Sequence, residues 1–260
     1  MLNLKGVEET MLIPLVIKAN ETLRDNARIK DEKAVEIVRE LNIDREKYDK
    51  FMSHEGVISR TILFDDAVKY YIEKYPDAVC ISVGCGFDNR FERVDNGKIR
   101  WYDLDLPNVI EARKSFFAER DRVKLIAKSA LDKSWTDEVE KGNTTIIIIE
   151  GMLMYLYEEQ VKTLLNIIKN SFNNVIIIAE LMPKITRGGS KYHDTVKNTS
   201  ATFNWGVKSA EDVEKLCNGL RLISEKSFNC EMQKYSIRGK LFASIPFIKN
   251  LNNFMAIFRL

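Results

Sequence analysis

The stretch Val79-Cys80-Ile81-Ser82-Val83-Gly84-Cys85-Gly86 joins a short apolar run directly to a Gly-x-Gly turn. An apolar run of this length predicts a strand that is covered on both faces of a parallel sheet. A glycine turn at the end of such a strand lets bare backbone approach a nucleotide-like cofactor. The same turn also occurs where a helix and a strand simply pack closely, so the glycines alone leave both readings open.

A second segment, residues 101–107, reads as the next strand and ends in the acidic residue Asp105. An acid at the end of that strand can accept hydrogen bonds from both hydroxyls of a ribose. Two alternatives remain: Asp105 is a helix N-cap before Pro107, or Asp103, which shares its strand face, takes the ribose. Together the glycine turn and this segment predict a cofactor that carries a ribose.

One residue argues against a dinucleotide cofactor. Asn89 stands at the sixth position counted from Gly84, where the dinucleotide-binding fingerprint has Gly or Ala. The chain also has no clear catalytic Lys, Tyr or His set for hydride transfer. A nicotinamide-dependent oxidoreductase is therefore a disfavoured alternative.

Helical and strand-like patterns alternate along most of the chain. Residues 123–127 read as a third strand and residues 144–149 and 175–181 as buried strands, and amphipathic helices separate them. This alternation predicts an α/β fold, with a parallel sheet and helices on both faces. The pair Asp65-Asp66 is expected to open a helix before the first strand, and Ser209 to begin one that ends near Gly219.

Glu150 directly follows the isoleucines of residues 146–149. A carboxylate at the carboxyl end of a central strand sits where open α/β sheets bind ligands. The alternative is a charge that merely marks the exit of the strand to solvent.

The composition of the chain argues against several classes of protein. The chain has 260 residues, enough for one large domain, and its 40 basic and 38 acidic residues nearly cancel. No basic stripe with interleaved aromatics supports nucleic-acid binding. The longest apolar run is far too short for a bilayer, no signal-peptide pattern is present, and the four cysteines form no metal-binding pair. We therefore expect a cytoplasmic protein with no metal, no membrane partner and no nucleic-acid partner.

Several segments, in order, resemble the leucine carboxyl methyltransferase family in its bacterial branch of polyketide-type O-methyltransferases. The segments are residues 9–15, Arg60-Thr61, residues 83–91, residues 101–107 and residues 150–156. The resemblance covers roughly residues 5 to 210. It implies an S-adenosylmethionine-dependent methyltransferase of class I. That fold is a Rossmann-like three-layer sandwich with a mostly parallel seven-stranded sheet, an antiparallel edge strand and an N-terminal helical cap.

The resemblance also implies a division of the single domain, residues 1–260. Residues 1–62 would form the helical cap and residues 63–182 the cofactor-binding core. Residues 183–208 break the alternating pattern, as a lid or acceptor-binding segment would. Residues 209–260 would supply a C-terminal helix and edge strands.

The cofactor-binding residues implied by the resemblance are Lys18, Arg60, Gly84, Gly86, Asp105, Ser129, Ala130 and Glu150. Arg60 and Lys18 would hold the methionine carboxylate, for which an arginine fork is well suited. Asp105 would bind the ribose diol, and Glu150 would face the methionine amino group. Residues 129–130 would line the adenine, although many members carry an acid where Ser129 stands.

The methyl acceptor is less constrained. Transfer from a sulfonium is an in-line displacement, and a carboxylate acceptor needs no base. A hydroxyl acceptor would need one, for which Tyr155, Tyr192 and His193 are the candidates. Because no dedicated base stands out, a carboxylate or an acidic phenol is favoured. The acceptor is expected to be a small molecule, with a protein C-terminus as an alternative.

The alternative to an enzyme is a non-catalytic cofactor-binding or protein-interaction module on the same fold.

The segment 183–208 contributes two aromatic residues to this question. Phe203 and Trp205 would either line an acceptor pocket over the cofactor or dock the segment onto the sheet. Both readings stay open from sequence.

Overall fold

A computed structural model describes residues 7–234, 237–245 and 250–260. Within them lies one seven-stranded sheet. Its strands are β1 Val79–Val83, β2 Arg100–Asp105, β3 Val123–Ala127, β4 Thr145–Ile149, β5 Val175–Leu181, β6 Arg221–Ser227 and β7 Phe254–Arg259. The pieces of the predicted cap and tail at residues 1–6, 235–236 and 246–249 lie outside the described residues.

The strand order is β3-β2-β1-β4-β5-β7-β6. The first five strands pair in parallel, and β7 pairs antiparallel with both β5 and β6. This confirms the predicted mostly parallel sheet with its antiparallel strand at one side. That strand lies one position inside the outermost strand, because β6 hydrogen-bonds to its far side. The carboxyl ends of β1, β2, β4 and β5 therefore meet at one edge of the sheet.

The helices begin and end at residues that suit those positions. Asp31 caps the second helix through a hydrogen bond from the Ala34 amide, and Pro107 occupies the first turn of the helix after β2. The described helices are α1 Leu12–Thr22, α2 Glu32–Glu40, α3 Arg45–Tyr48, α4 Phe51–Lys74, α5 Arg90–Val94, α6 Pro107–Lys114, α7 Glu158–Ser171, α8 Glu211–Glu214, α9 Asn229–Met232 and α10 Ile237–Ser244.

Two predicted helix boundaries are wrong. The helix expected to open at Asp65 is the second half of α4, which runs unbroken from Phe51. Asp65 is buried inside it, where Arg90 and Arg93 neutralise its carboxylate, so it has no capping role. The helix expected from Ser209 is the single turn α8, which ends at Glu214. The cap boundary at residue 62 thus falls within one continuous helix, and the division of the domain remains a proposal.

Three clusters of buried apolar residues hold the layers together. One packs α7 and the 205–220 region against one face of the sheet, and another packs the second half of α4 against the opposite face. The third joins α1, α2 and the first half of α4 to Phe87, Met154, Met182 and Phe203. This third cluster sets the N-terminal helices over the edge where the parallel strands end.

No helix among the described residues is long and apolar enough to cross a membrane. The same residues contain no group of His, Cys, Asp and Glu arranged to hold a metal ion.

Candidate cofactor site

The turn after β1 requires its glycines. Gly84 has φ +71° and Gly86 has φ +49°, a region that favours glycine. A Cβ atom on Gly84 would lie 3.1 Å from the Met152 sulfur, and one on Gly86 would lie 3.1 Å from the Met11 Cβ. Any side chain here would both strain the backbone and crowd its neighbours, so the turn keeps bare backbone beside the space above it.

That space is a cavity of about 830 Å³ at the carboxyl edge of the sheet. Its volume lies in the range of small-molecule and cofactor sites. All eight residues predicted to bind the cofactor line it: Lys18, Arg60, Gly84, Gly86, Asp105, Ser129, Ala130 and Glu150. The three candidate bases, Tyr155, Tyr192 and His193, line it as well. The structure therefore brings together the eight predicted cofactor-binding residues and the three candidate bases, and their roles remain proposals.

Asp105 presents its carboxylate to the cavity from the end of β2. One oxygen accepts a hydrogen bond from the Gly86 amide and the other from the Leu106 amide, each at 2.8 Å. Each oxygen keeps a second lone pair for a ligand hydroxyl. The competing residue Asp103 is buried and paired with Arg113 at 2.6 Å, and it does not line the cavity.

Burial raises the pKa of the Asp105 carboxyl above its ordinary value, against the opposing hydrogen bonds from Gly86 and Leu106. If Asp105 binds the ribose, its charged form is the one that accepts two hydroxyls. Affinity for S-adenosylmethionine should then fall as the pH drops through this raised pKa, because protonation removes an acceptor.

We predict that Asp105→Asn weakens this binding by about tenfold at about pH 7.5, the scale of a hydrogen bond to a charged group. Titration calorimetry at about pH 7.5 and about pH 5 measures both effects, and the Asn variant, which does not titrate there, is the control. An equal pH dependence in the two proteins would remove Asp105 from the ribose role.

Arg60, on α4, lies between two carboxylates. Its Nε is 2.7 Å from Glu150 Oε1, and its Nη1 donates to Glu180 Oε2 at 3.0 Å. Within the described part of the chain, its Nη2 donates no hydrogen bond. The guanidinium thus retains donors for a further anion at the cavity.

Glu180 was not singled out from the sequence. It is 2% exposed, and besides Arg60 it accepts hydrogen bonds from the Gly151 amide and the Asn253 side chain, each at 2.7 Å. The signal that identified Glu150, an acid at the end of an apolar strand, also applied to Glu180 at the end of β5. The Glu180 carboxylate therefore orients the Arg60 guanidinium. It also links Gly151, which follows β4, to Asn253, which precedes β7.

Lys18 reaches the same cavity from α1, but its ammonium already has partners. It hydrogen-bonds to Asp88 and lies 3.6 Å from Asp31, and the residue is 3% exposed. Desolvation opposes the charge of Asp88, yet nearby cations, Arg90 first and then Lys18, hold its pKa well below the usual range. Lys18 and Arg60 therefore both line the cavity but differ in their partners. The Lys18 ammonium is hydrogen-bonded to Asp88, whereas the Arg60 guanidinium lies between Glu150 and Glu180.

The segment that was predicted to line the adenine follows β3. Ser129 and Ala130 line the cavity, and the Ser129 hydroxyl accepts a hydrogen bond from the Leu131 amide at 3.2 Å. This contact shapes the loop locally.

The three candidate bases differ in setting. Burial raises the pKa of Tyr155 to about 12, so its phenol stays protonated at neutral pH. Tyr192 is 80% exposed at the rim. Burial lowers the pKa of His193, and its Nδ1 accepts hydrogen bonds from the Thr195 and Val196 amides at 3.5 and 3.3 Å. A neutral ring that accepts through Nδ1 carries its proton on Nε2 and donates there.

The two aromatic residues of the 183–208 segment separate in the structure. Phe203 lines the cavity, with its ring centroid 5.7 Å from that of Tyr155. Trp205 is buried in the core cluster beside Val207 and does not line the cavity. Trp205 therefore docks the segment, whereas Phe203 faces the space above the cofactor residues.

Comparison with known proteins agrees with this geometry. A family model described as leucine carboxyl methyltransferase matches residues 12–169, more than half of the chain. The tetracenomycin polyketide synthesis O-methyltransferase TcmP of Streptomyces glaucescens is 28% identical over 223 residues, which are 85% of this chain and 82% of that protein. An S-adenosyl-L-methionine-dependent methyltransferase of Gibberella zeae, dpfgK, is 24% identical over 84% of this chain and 81% of that protein.

Solved structures share the fold. A candidate methyltransferase from Thermobifida fusca YX superposes with a TM-score of 0.61 at 13% identity, over 95% of this chain and 94% of that one. Magnesium protoporphyrin IX methyltransferase from Synechocystis PCC 6803, solved with S-adenosylhomocysteine, gives 0.51 at 13% identity, over 88% of this chain and 99% of that one.

Proposed function

Because this chain belongs to the leucine carboxyl methyltransferase family and is an S-adenosylmethionine-dependent methyltransferase, we propose that its cavity transfers the methyl group to an oxygen atom of a small molecule. The observation that carries the proposal is that all the predicted cofactor residues line one cavity of about 830 Å³. The family match over residues 12–169 and the shared lining of this cavity both support the proposal.

The methionine end of the cofactor is a zwitterion, and the cavity offers a matching pair. The remaining donors of Arg60 suit the carboxylate, since an arginine fork binds it with two parallel hydrogen bonds. Glu150 lies beside Arg60, and its remaining lone pairs suit the ammonium group. Glu180, Arg60 and Glu150 already alternate in charge, and the carboxylate and ammonium of the methionine would continue this alternation.

The adenosine end lies toward β2 and β3. Asp105 would hold the ribose, while Gly84 and Gly86 let the backbone pass close to it. The loop at Ser129 and Ala130 would flank the adenine. This placement follows the rule that open parallel sheets bind ligands at the carboxyl ends of their strands.

The acceptor would occupy the other end of the cavity, under α1, α4 and the 183–208 segment. The methionine side chains and aromatic rings among the lining residues would give it an adaptable apolar surface. The residues concerned are Met11, Met52, Met154, Met182, Tyr155 and Phe203. Such a wall suits a flat apolar molecule and excludes water from the methyl transfer. The similarity to a polyketide O-methyltransferase supports a small molecule of this kind.

A carboxylate or an acidic phenol is the favoured acceptor group. Tyr155, with a pKa of about 12, and His193, with Nδ1 engaged, offer donors at neutral pH in place of a ready base. An acceptor that is already ionised needs only to be aligned with the methyl group and the sulfur. The donor at His193 Nε2 would then orient the anionic oxygen.

The test is the chemistry of the methylated product. The protein is incubated with methyl-labelled cofactor and with libraries of aromatic carboxylic acids, phenols and alcohols. We expect labelled products from acids or acidic phenols, and brief alkali should release volatile label from the methyl esters. Stable ethers of simple alcohols alone would contradict the proposed acceptor class and leave the cofactor site intact.

A further inference from the structure

We infer that Arg90 is a positioning residue for the methionine end of the cofactor, acting through Glu150. The inference rests on the proposed function of the cavity. Arg90 begins α5, shortly after the glycine turn, and it is 2% exposed. It lies in the segment 83–91 that carries the family resemblance, but the sequence analysis assigned it no role.

Each nitrogen of the Arg90 guanidinium faces a different carboxylate. Nε lies 2.7 Å from Asp65, Nη1 lies 3.0 Å from Asp88, and Nη2 lies 2.5 Å from Glu150 Oε2. The ring of Phe64 lies 5.6 Å from the guanidinium carbon. A planar fork held at three corners has one orientation, which a flexible ammonium group could not reproduce.

Glu150 is held from both sides as a result. Arg60 lies beside its Oε1 and Arg90 binds its Oε2. The plane of the carboxylate is therefore fixed, and only its remaining lone pairs face the cavity. Without Arg90, Glu150 would turn toward Arg60 and compete with the methionine carboxylate for that cation.

Arg93, one turn later on α5, provides a matched control. It shares two partners with Arg90, lying 2.6 Å from Asp65 and 3.1 Å from Asp88, and its third partner is Asp31 at 3.0 Å. It has no described contact with Glu150 and does not line the cavity. A role limited to holding α5 against α4 would be common to both arginines, whereas a role through Glu150 belongs to Arg90.

The experiment compares Arg90→Lys with Arg93→Lys, which both keep the charge and preserve folding better than neutral replacements. Two ligands are titrated by calorimetry: S-adenosylhomocysteine, and 5′-methylthioadenosine, which lacks the amino-acid end. Arg90→Lys should weaken S-adenosylhomocysteine about tenfold, a typical coupling between contacting residues, and change methylthioadenosine by less than about threefold. Arg93→Lys should change both affinities by less than about threefold, although the melting temperature falls in both variants.

A double-mutant cycle with Glu150→Gln completes the test. If Arg90 acts through Glu150, adding Arg90→Lys to Glu150→Gln should weaken S-adenosylhomocysteine by no more than about twofold further. Additive losses, equal losses for the two ligands, or matching behaviour of the two arginine variants would each overturn the inference. Failure of the unaltered protein to bind S-adenosylhomocysteine would instead overturn the proposed site itself.

Discussion

Replacing Arg60 by Ala should weaken binding of S-adenosylmethionine by about 100-fold or more, the scale expected when one partner of a buried, hydrogen-bonded charge pair is truncated. The change removes the donors proposed for the methionine carboxylate. It also leaves Glu150 and Glu180, which lie on either side of the guanidinium, facing the same space without a cation between them. The methionine carboxylate would then meet Glu180 without its cation and Glu150 held by Arg90 alone.

Calorimetry with S-adenosylmethionine measures this effect directly. Affinity for 5′-methylthioadenosine serves as the control, because Asp105 and the 129–130 loop are untouched. Retained binding of that control shows that the variant folds. An S-adenosylmethionine affinity equal to that of the unaltered protein would remove Arg60 from the site.

The second large effect is expected on stability. Glu180→Ala should lower the free energy of unfolding by about 3 kcal/mol, at the lower end of the range for breaking a buried ion pair, since Arg60 keeps Glu150. The Gly151 amide and the Asn253 side chain also lose their acceptor. Burial of unpaired donors is the physical cause of the loss.

Urea unfolding followed by circular dichroism gives this free energy. Glu73→Ala is the control, because Glu73 is an exposed acid on α4, and such surface changes stay within about 0.5 kcal/mol. If the Glu180 and Glu73 variants unfold at the same urea concentration, the buried carboxylate contributes nothing and its role under Arg60 is rejected.

The strands were predictable because their signal is local. Apolar and β-branched runs predicted β1 at Val79–Val83 and β5 at Val175–Leu181 with the observed bounds. The start of α4 was missed because Asp65-Asp66 resembles a helix opening. In the structure Asp65 is instead buried and paired with Arg90 and Arg93, which the fold brings to it from a later helix.

The same contrast between local signals and tertiary packing applies to the residues of the cavity. Asp105 and Glu150 were found because the ends of parallel strands meet at one edge, which sequence position alone reveals. The partners of Lys18 and Arg60 were not, because side-chain pairing follows from how the N-terminal helices pack over that edge. Local pattern therefore located the cavity, and tertiary packing decided which charges compensate one another within it.

A crystal structure of the protein with S-adenosylhomocysteine tests the central claim most directly. We expect the ribose hydroxyls within hydrogen-bond distance of Asp105, the methionine amino group at Glu150 and its carboxylate at Arg60. We also expect the sulfur to face the side of the cavity lined by Met154, Met182 and Phe203. Cofactor bound outside this cavity, or bound with its adenine at Arg60 and its methionine at Ser129, would show that the proposed site is wrong.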